Sequence, residues 1–336
     1  MKVSVIGNGS IGRRHLRNCN LIGSELGITE LRGFDTNPQR RAQAKEEVKD
    51  LVVATSLAEA VRGADIVFMC VPTSLHISVL QEMGAAGQHH LFIEKPLSHT
   101  LAGCEQLVFG MERAGKVLHV GYVLHHHPLL KKVKEILDSG TLGRVLSVRA
   151  EAGFYLPYWH PWEDYRDFYM SWKSGGGGAL LDISHEINYL QWMFGDIDEV
   201  KGFVDTVSDL EITSDDIAIA ILLFKSGIYG QFHLDLMQFD ESRYCKIIGT
   251  EGVLIGDLTK NTIRTSKRDV KDWSETRFDV KFDDIYFDQL RAFFAACRGA
   301  GGAVVSGRES IKTMEVVEAV RRSHAYSTSV RLPLYD

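Results

Sequence analysis

A short apolar run, Val3-Ser4-Val5-Ile6, breaks into Gly7-Asn8-Gly9-Ser10-Ile11-Gly12 and then continues with helical spacing through Asn18. A strand, a glycine turn and a helix in direct succession constrain the chain more than any other feature, because they define one βαβ half-unit and call for a parallel sheet. Further short apolar runs follow at the spacing such a sheet needs. Glu30 to Phe34 ends at Asp35, Asp65 to Val71 is stopped by Pro72, Leu91 to Ile93 is followed by Glu94-Lys95-Pro96, and Val117 to Tyr122 closes the series. The expected fold of residues 1–122 is α/β, a doubly wound parallel sheet.

At 336 residues the chain is long for one core, and length favours two domains. Beyond about residue 124 the period changes. Leu129 to Leu137 has an amphipathic helical pattern, and alternating stretches follow at Val145–Ala150, Val200–Val207, Ile217–Phe224, Ile228–Leu236 and Tyr244–Ile248. Lys225-Ser226-Gly227 is a hairpin turn between two of them. One helix is expected over Ala179–Phe194, and a helical pair near 285–298 and 308–323. Residues 123–336 are thus expected to form an α+β domain with a large, mostly antiparallel open sheet.

The glycine loop has the chemistry of a dinucleotide site. Gly7 permits the tight turn, Gly9 lets the backbone approach a pyrophosphate, and Gly12 lets helix and strand pack closely. The helix start brings the N–H groups of Asn8, Ser10 and Ile11 near the same anion. Asp35 lies 23 residues beyond Gly12, where a carboxylate can bond both ribose hydroxyls and repel a 2′-phosphate. NAD is therefore the favoured cofactor; Arg40 and Arg41 close by leave NADP open. Pro72, Thr73 and His76 fall at another strand's carboxyl end, the edge that meets ligands in such sheets. His76 there is either a cofactor contact or a helix residue making a local hydrogen bond.

Lys95 stands at the carboxyl end of a buried strand, where an ammonium can orient a substrate hydroxyl and stabilise developing alkoxide character, or carry protons. Glu94 either holds the lysine or lines the nicotinamide pocket, and Lys95–Pro96 is a candidate cis peptide bond. An ordinary solvated ion pair is the competing reading of this tripeptide. A second cluster follows Gly175-Gly176-Gly177-Gly178: Asp182, His185 and Asn188 lie three apart and share a face if one helix carries them. An Asp–His pair is a natural acid/base unit.

Residues 154–172 interleave aromatic and charged side chains. Tyr155, Trp159, His160 and Arg166 are the substrate candidates, Arg166 hinting at an anionic group; an interface segment would have similar composition. His125-His126-His127 invites a metal reading, but on a strand adjacent residues point to opposite faces, so at most His125 and His127 converge; no cysteine or carboxylate has suitable spacing, and no metal is expected. The net charge of −6 excludes a broad basic field for nucleic acid. No uncharged apolar stretch approaches the roughly 20 residues that span a bilayer. No secretory leader is apparent, and five scattered cysteines read as reduced thiols, so a cytoplasmic location is expected.

The loop at 7–12, Glu94-Lys95-Pro96 and the Gly-Gly-Gly…Asp182…His185 block together resemble the glucose–fructose oxidoreductase/inositol dehydrogenase/MocA family. The resemblance extends to Gly121-Tyr122 and the terminal Ala319-x-x-x-Ser323 helix. It implies a Rossmann domain joined to an open-sheet domain, and hydride transfer between a nicotinamide cofactor and a secondary alcohol of a sugar, sugar acid, nucleotide sugar or cyclitol. It also implies a homo-oligomer, a dimer or tetramer. Carried over, Lys95 is the substrate-orienting lysine, His185 the acid/base and Asp182 its supporting substrate contact, with Tyr122 on the substrate side. Three departures stand out. Asp182 and His185 are three apart rather than four, Asn188 replaces a common aspartate, and the histidine run replaces an Arg-aromatic pattern. NAD-dependent glycoside cleavage on the same fold and non-catalytic dinucleotide sensing are the alternatives.

Overall fold

The computed structural model describes every residue except 85, 86, 160, 162, 271, 302–304, 335 and 336. Two compact units divide the chain: Met1–Val123 with Asp283–Ile311, and Leu124–Phe282 with Lys312–Asp336. A single boundary at 122 captures the first crossing only. The chain re-enters the first unit at residue 283, where Leu290, Phe293 and Phe294 join the core built by Val3, Leu16, Phe68 and Phe92. A helical pattern shows that such a segment buries one face, not which sheet it covers.

The first unit holds strands β1 (Lys2–Ile6), β2 (Glu30–Phe34), β3 (Val52–Val53), β4 (Ile66–Met69), β5 (His90–Ile93) and β6 (Leu118–Val120), with helices α1 (Ser10–Leu21), α2 (Gly23–Leu26), α3 (Pro38–Glu47), α4 (Leu57–Val61), α5 (His76–Glu82) and α6 (Cys104–Arg113). The sheet order is β3-β2-β1-β4-β5-β6, and every pairing is parallel. Strand order reverses beside β1, so the loops after β1 and β4 diverge and leave a crevice at their carboxyl ends. Phe68 and Phe92 stack with centroids 4.7 Å apart, and Phe293 meets both edge-on.

The second unit contains α7 (Pro128–Asp138), β7 (Val145–Tyr155), α8 (Leu156–Trp159), α9 (Ala179–Asp182), α10 (His185–Phe194), β8 (Ile197–Asp205), β9 (Ile217–Phe224), β10 (Tyr229–Asp235), β11 (Met237–Gly249), β12 (Gly252–Asp257), β13 (Thr262–Lys267) and β14 (Ser274–Arg277). Helix α11 (Phe282–Cys297) belongs to the first unit from Asp283 on, and α12 (Gly307–Tyr326) and β15 (Val330–Arg331) follow it, the second unit resuming at Lys312. Nine strands in the order β14-β13-β12-β11-β7-β10-β9-β8-β15 form one sheet, antiparallel throughout except for β7 with β10. The expected hairpin joins β9 and β10, closed by Gly227 N–H donating to Phe224 O at 2.8 Å.

Strand alternation explains the sheet's two faces. Ala218, Ala220, Leu222 and Phe224 of β9 are buried, whereas Ile219 and Ile221 between them are exposed. Phe203, Tyr229 and Ile248 on neighbouring strands are exposed as well.

Two local expectations need correction. The helix expected over Ala179–Phe194 breaks at Ile183–Ser184 into α9 and α10. The histidine run is not a strand: Val123–His126 is a 3-10 turn, and His127 caps α7 by accepting the Leu129 N–H at Nδ1, 3.2 Å away. Among the described residues no helix is long and apolar enough to cross a membrane, and no His/Cys/Asp/Glu cluster is shaped to hold a metal ion.

Candidate active site

In the first unit the glycine loop has the form a pyrophosphate needs. Gly7 has φ +90°, and a Cβ there would lie 2.5 Å from the Cys70 carbonyl oxygen; a Cβ on Gly12 would strike the Gly7 carbonyl at 1.8 Å. Around Gly9, by contrast, a Cβ would meet nothing within 4 Å, so the backbone there is open to a ligand. Gly9 caps α1 without a side-chain bond, which leaves first-turn N–H groups and the positive end of the helix facing outward. Ser10 is exposed and Ile11 half-buried. Asn8 contributes backbone only, for its side chain is buried against Gly33.

Asp35 holds this loop in place. Its Oδ2 accepts the Asn8 N–H at 2.7 Å and its Oδ1 the Asn37 N–H at 2.8 Å. Each carboxylate oxygen retains a lone pair for a ribose hydroxyl. Arg41 donates to the Asp35 carbonyl at 2.5 Å, and the half-exposed Arg40 guanidinium stands 4.0 Å from Oδ2. Open backbone at Gly9 beside a braced carboxylate fits an adenine dinucleotide.

At the next crests, Pro72 is half-buried, while Thr73 and His76 are buried. The His76 ring is held by carbonyls, with Nε2 3.0 Å from Val71 O and Nδ1 3.1 Å from Pro96 O. Burial pushes its pKa down, opposed in part by these carbonyl contacts and by the Glu94 charge. The Lys95–Pro96 bond is cis. Glu94 turns inward, its Oε1 2.6 Å from His15 Nε2 and its Oε2 accepting the Lys95 N–H at 3.2 Å. Within Leu91–Ser98 every residue but Lys95 is buried. Tyr122 is 1% exposed.

The second unit repeats that contrast. From Gly176 to Leu190 His185 alone escapes burial. Asp182 is 3% exposed; its Oδ1 accepts from the Tyr169 hydroxyl at 3.0 Å and its Oδ2 from Gly178 N–H at 2.9 Å. Asp215 accepts the Leu180 N–H at 2.8 Å, and burial, with the Asp182 charge as a lesser cause, raises its pKa to about 6. Asn188 faces away from this chemistry, its Oδ1 2.7 Å from His125 Nε2.

On the aromatic segment, Tyr155 packs against Tyr158 and Phe239 with centroids 4.7 and 4.5 Å apart, and Trp159 meets Phe154 edge-on. Arg166 is paired with Asp164 and Glu211 at 2.5 and 2.7 Å, an arrangement that already neutralises the guanidinium. His160 lies outside the described residues. Tyr169 and His15 were not singled out from sequence. The signal for His15 was its place three residues after Gly12, which turns it toward the sheet.

A parallel sheet with a nucleotide-shaped glycine loop, followed by an open-sheet unit in which His185 alone of residues 176–190 escapes burial, describes a two-unit dinucleotide-dependent enzyme. Residues 1–122 match the oxidoreductase family with an NAD-binding Rossmann fold, and residues 130–255 match the GFO/IDH/MocA C-terminal domain. The chain belongs to this oxidoreductase family, and its first unit is the NAD-binding domain. Myo-inositol 2-dehydrogenase of Thermotoga maritima is 25% identical over 99% of this chain and 98% of its own. Inositol 2-dehydrogenase of Acidiphilium cryptum is 28% identical over 100% and 99%. Among solved structures, levoglucosan dehydrogenase in complex with NADH and levoglucosan has the same fold, with a TM-score of 0.86 at 17% identity over 99% of both chains.

Proposed function

We propose that the protein is an NAD-dependent dehydrogenase or reductase of a secondary alcohol on a polyol, cyclitol or sugar, with Lys95 and His185 as its reacting side chains. The carrying observation is that each is the one residue of its buried segment to escape burial, and each has the chemistry the reaction requires. The Lys95 ammonium donates to the substrate hydroxyl and stabilises the alkoxide as it forms. His185 takes the hydroxyl proton in the oxidation direction and returns it in reduction. Asp182 supports this end of the site, braced by Tyr169 and Gly178. The bound nicotinamide supplies the hydride acceptor or donor. Gly7 to Gly12 and Asp35 hold the dinucleotide, and the Asp35 carboxylate favours NAD; Arg40 beside it gives NADP some purchase.

Relatives named as inositol 2-dehydrogenases support a cyclitol or sugar-like alcohol as the substrate. Because Asp164 and Glu211 already occupy Arg166, a neutral substrate suits this chain better than an anionic one. Aromatic faces at Tyr155 and Trp159 cover the apolar faces of such a ring. The protein works in the cytoplasm, where its five free cysteines stay reduced. It pairs with a second copy through the exposed sheet face carrying Phe203, Ile219, Ile221, Tyr229 and Ile248, an apolar row larger than isolated surface residues explain. Light scattering of Ile221→Glu tests this, with dissociation expected.

The deciding assay follows nicotinamide absorbance with NAD and NADP in parallel across myo-inositol, D-xylose, levoglucosan and nucleotide sugars. NADH accumulation on a polyol is expected. Sugar release from a glycoside with no NADH accumulating, or NAD binding without any turnover, would overturn the assignment.

A further inference from the structure

We infer that His15 and His76 are positioning residues that hold Lys95 from its two sides, one through Glu94 and the other through the Pro96–Leu97 carbonyls. The inference rests on Lys95 being the substrate-orienting group. The last backbone bond of this strand end is Glu94 N–H to Met69 O at 2.9 Å. Lys95 lies beyond it, so the sheet ladder does not fix the lysine's own N–H. Side chains do.

On the upstream side, the Glu94 carboxylate forms a bridge. Its Oε2 accepts the Lys95 N–H at 3.2 Å, while Oε1 lies 2.6 Å from His15 Nε2. His15 is fully buried, and its ring sits 4.9 Å from Phe92 and 5.2 Å from Phe68 between centroids. The carboxylate has little freedom to swing, since even a Cβ on Gly121 would come within 3.0 Å of Oε2. His15 belongs to α1, the helix that opens at the glycine loop. The helix under the dinucleotide loop and the lysine backbone are therefore joined by one carboxylate.

Downstream, His76 spans two adjacent crests. Its Nδ1 lies 3.1 Å from Pro96 O and 3.3 Å from Leu97 O, and its Nε2 lies 3.0 Å from Val71 O. At 1% exposure the ring reaches neither solvent nor a ligand, which excludes acid/base work on a substrate. What it can do is set the spacing between the crest after β4 and the turn that carries Lys95. A lysine has a long flexible stem, so the reach of its ammonium depends on how firmly its backbone is aimed. Misplacement by about 1 Å can cost on the order of 10²-fold in rate.

The test reads Lys95 directly. Reductive ¹³C-methylation gives each lysine a resonance, that of Lys95 being identified by its loss in Lys95→Arg. In His15→Ala and His76→Ala the Lys95 resonance should shift or broaden while other lysines stay unmoved. Turnover of myo-inositol with NAD should fall at least about tenfold, and the NAD dissociation constant should stay within about threefold. His15→Gln and His76→Gln, whose amides keep one donor, should recover part of both signals; they also carry the test if the alanine variants do not fold. An unmoved Lys95 resonance in folded variants overturns the inference. So does a turnover loss matched by an equal loss of folded, NAD-binding protein. A moved resonance in an enzyme whose wild type oxidises no polyol supports the positioning and overturns the functional assignment instead.

Discussion

Asn188 Oδ1 lies 2.7 Å from His125 Nε2, and the Asn188 amide donates to Thr313 Oγ1 at 3.1 Å. All of this is buried, and the His125 ring stacks on Trp192 with centroids 4.4 Å apart. Asn188 is thus a buried connector and not a partner for the accessible histidine. Replacing it with alanine strands polar groups at both ends, so Asn188→Ala should lower unfolding free energy by about 1–3 kcal/mol. Urea denaturation measures this, and a change below about 0.5 kcal/mol, the range of an inert surface substitution, would contradict it.

The Tyr169 hydroxyl donates to Asp182 Oδ1 at 3.0 Å. A hydrogen bond to a charged group contributes about 1.5–3 kcal/mol. If Asp182 supports the reacting end of the site, Tyr169→Phe should reduce kcat/KM by about tenfold or more and leave NAD affinity unchanged. Steady-state kinetics beside NAD titration separates the two. Unchanged kcat/KM would show that the Asp182 brace has no part in turnover.

His127 couples folding to pH. Its Nδ1 accepts the Leu129 N–H, and burial, with the Arg243 charge adding to it, lowers its pKa from 6.5 to about 4. The unfolded chain therefore binds a proton between those values that the folded one refuses, and stability falls as pH drops from about 6.5 to 4. The loss is on the order of 3 kcal/mol. His127→Asn keeps a capping acceptor and removes the titration. Relative to wild type, the variant's stability should rise steadily as pH falls through this window; a constant difference would contradict the assignment.

Arg243 and Glu186 form a bidentate pair at 2.8 and 3.0 Å, with Glu186 fully buried and the guanidinium 5.7 Å from the Phe154 ring. Removing one partner leaves an uncompensated charge, so Arg243→Ala should destabilise by about 3–5 kcal/mol. The double substitution Arg243→Met with Glu186→Gln should recover much of that. Thermal unfolding of both variants decides, and equal losses would mean that packing, not charge, dominates.

The fold was legible where period and punctuation coincide. Gly7 to Gly12, Pro72 and Pro96 each end a strand at a fixed point, and the parallel sheet follows from them. The α9–α10 break at Ile183–Ser184 was not legible, because Asp182, His185 and Asn188 keep helical spacing across it. Strands β12 to β14 escaped notice because Thr262–Lys267 and Ser274–Arg277 carry few apolar residues, and Ser274–Arg277 is exposed throughout. At the site, Lys95 and His185 stood out by motif, whereas the partners that hold their surroundings did not. His15 and Glu94 are 79 positions apart, and no local pattern announces such a pair. Arg166 shows the converse: its charge was visible in sequence, but its neutralisation by Glu211 was not.

The central claim, that Lys95 and His185 carry the chemistry on bound NAD, is tested most directly by single-turnover formation of NADH in Lys95→Ala and His185→Ala, with NAD affinity measured on the same samples. Each variant should bind NAD as wild type does and lose at least about 10²-fold in the rate of NADH formation, the scale general acid/base catalysis supplies. Wild-type rates in either variant would contradict the account.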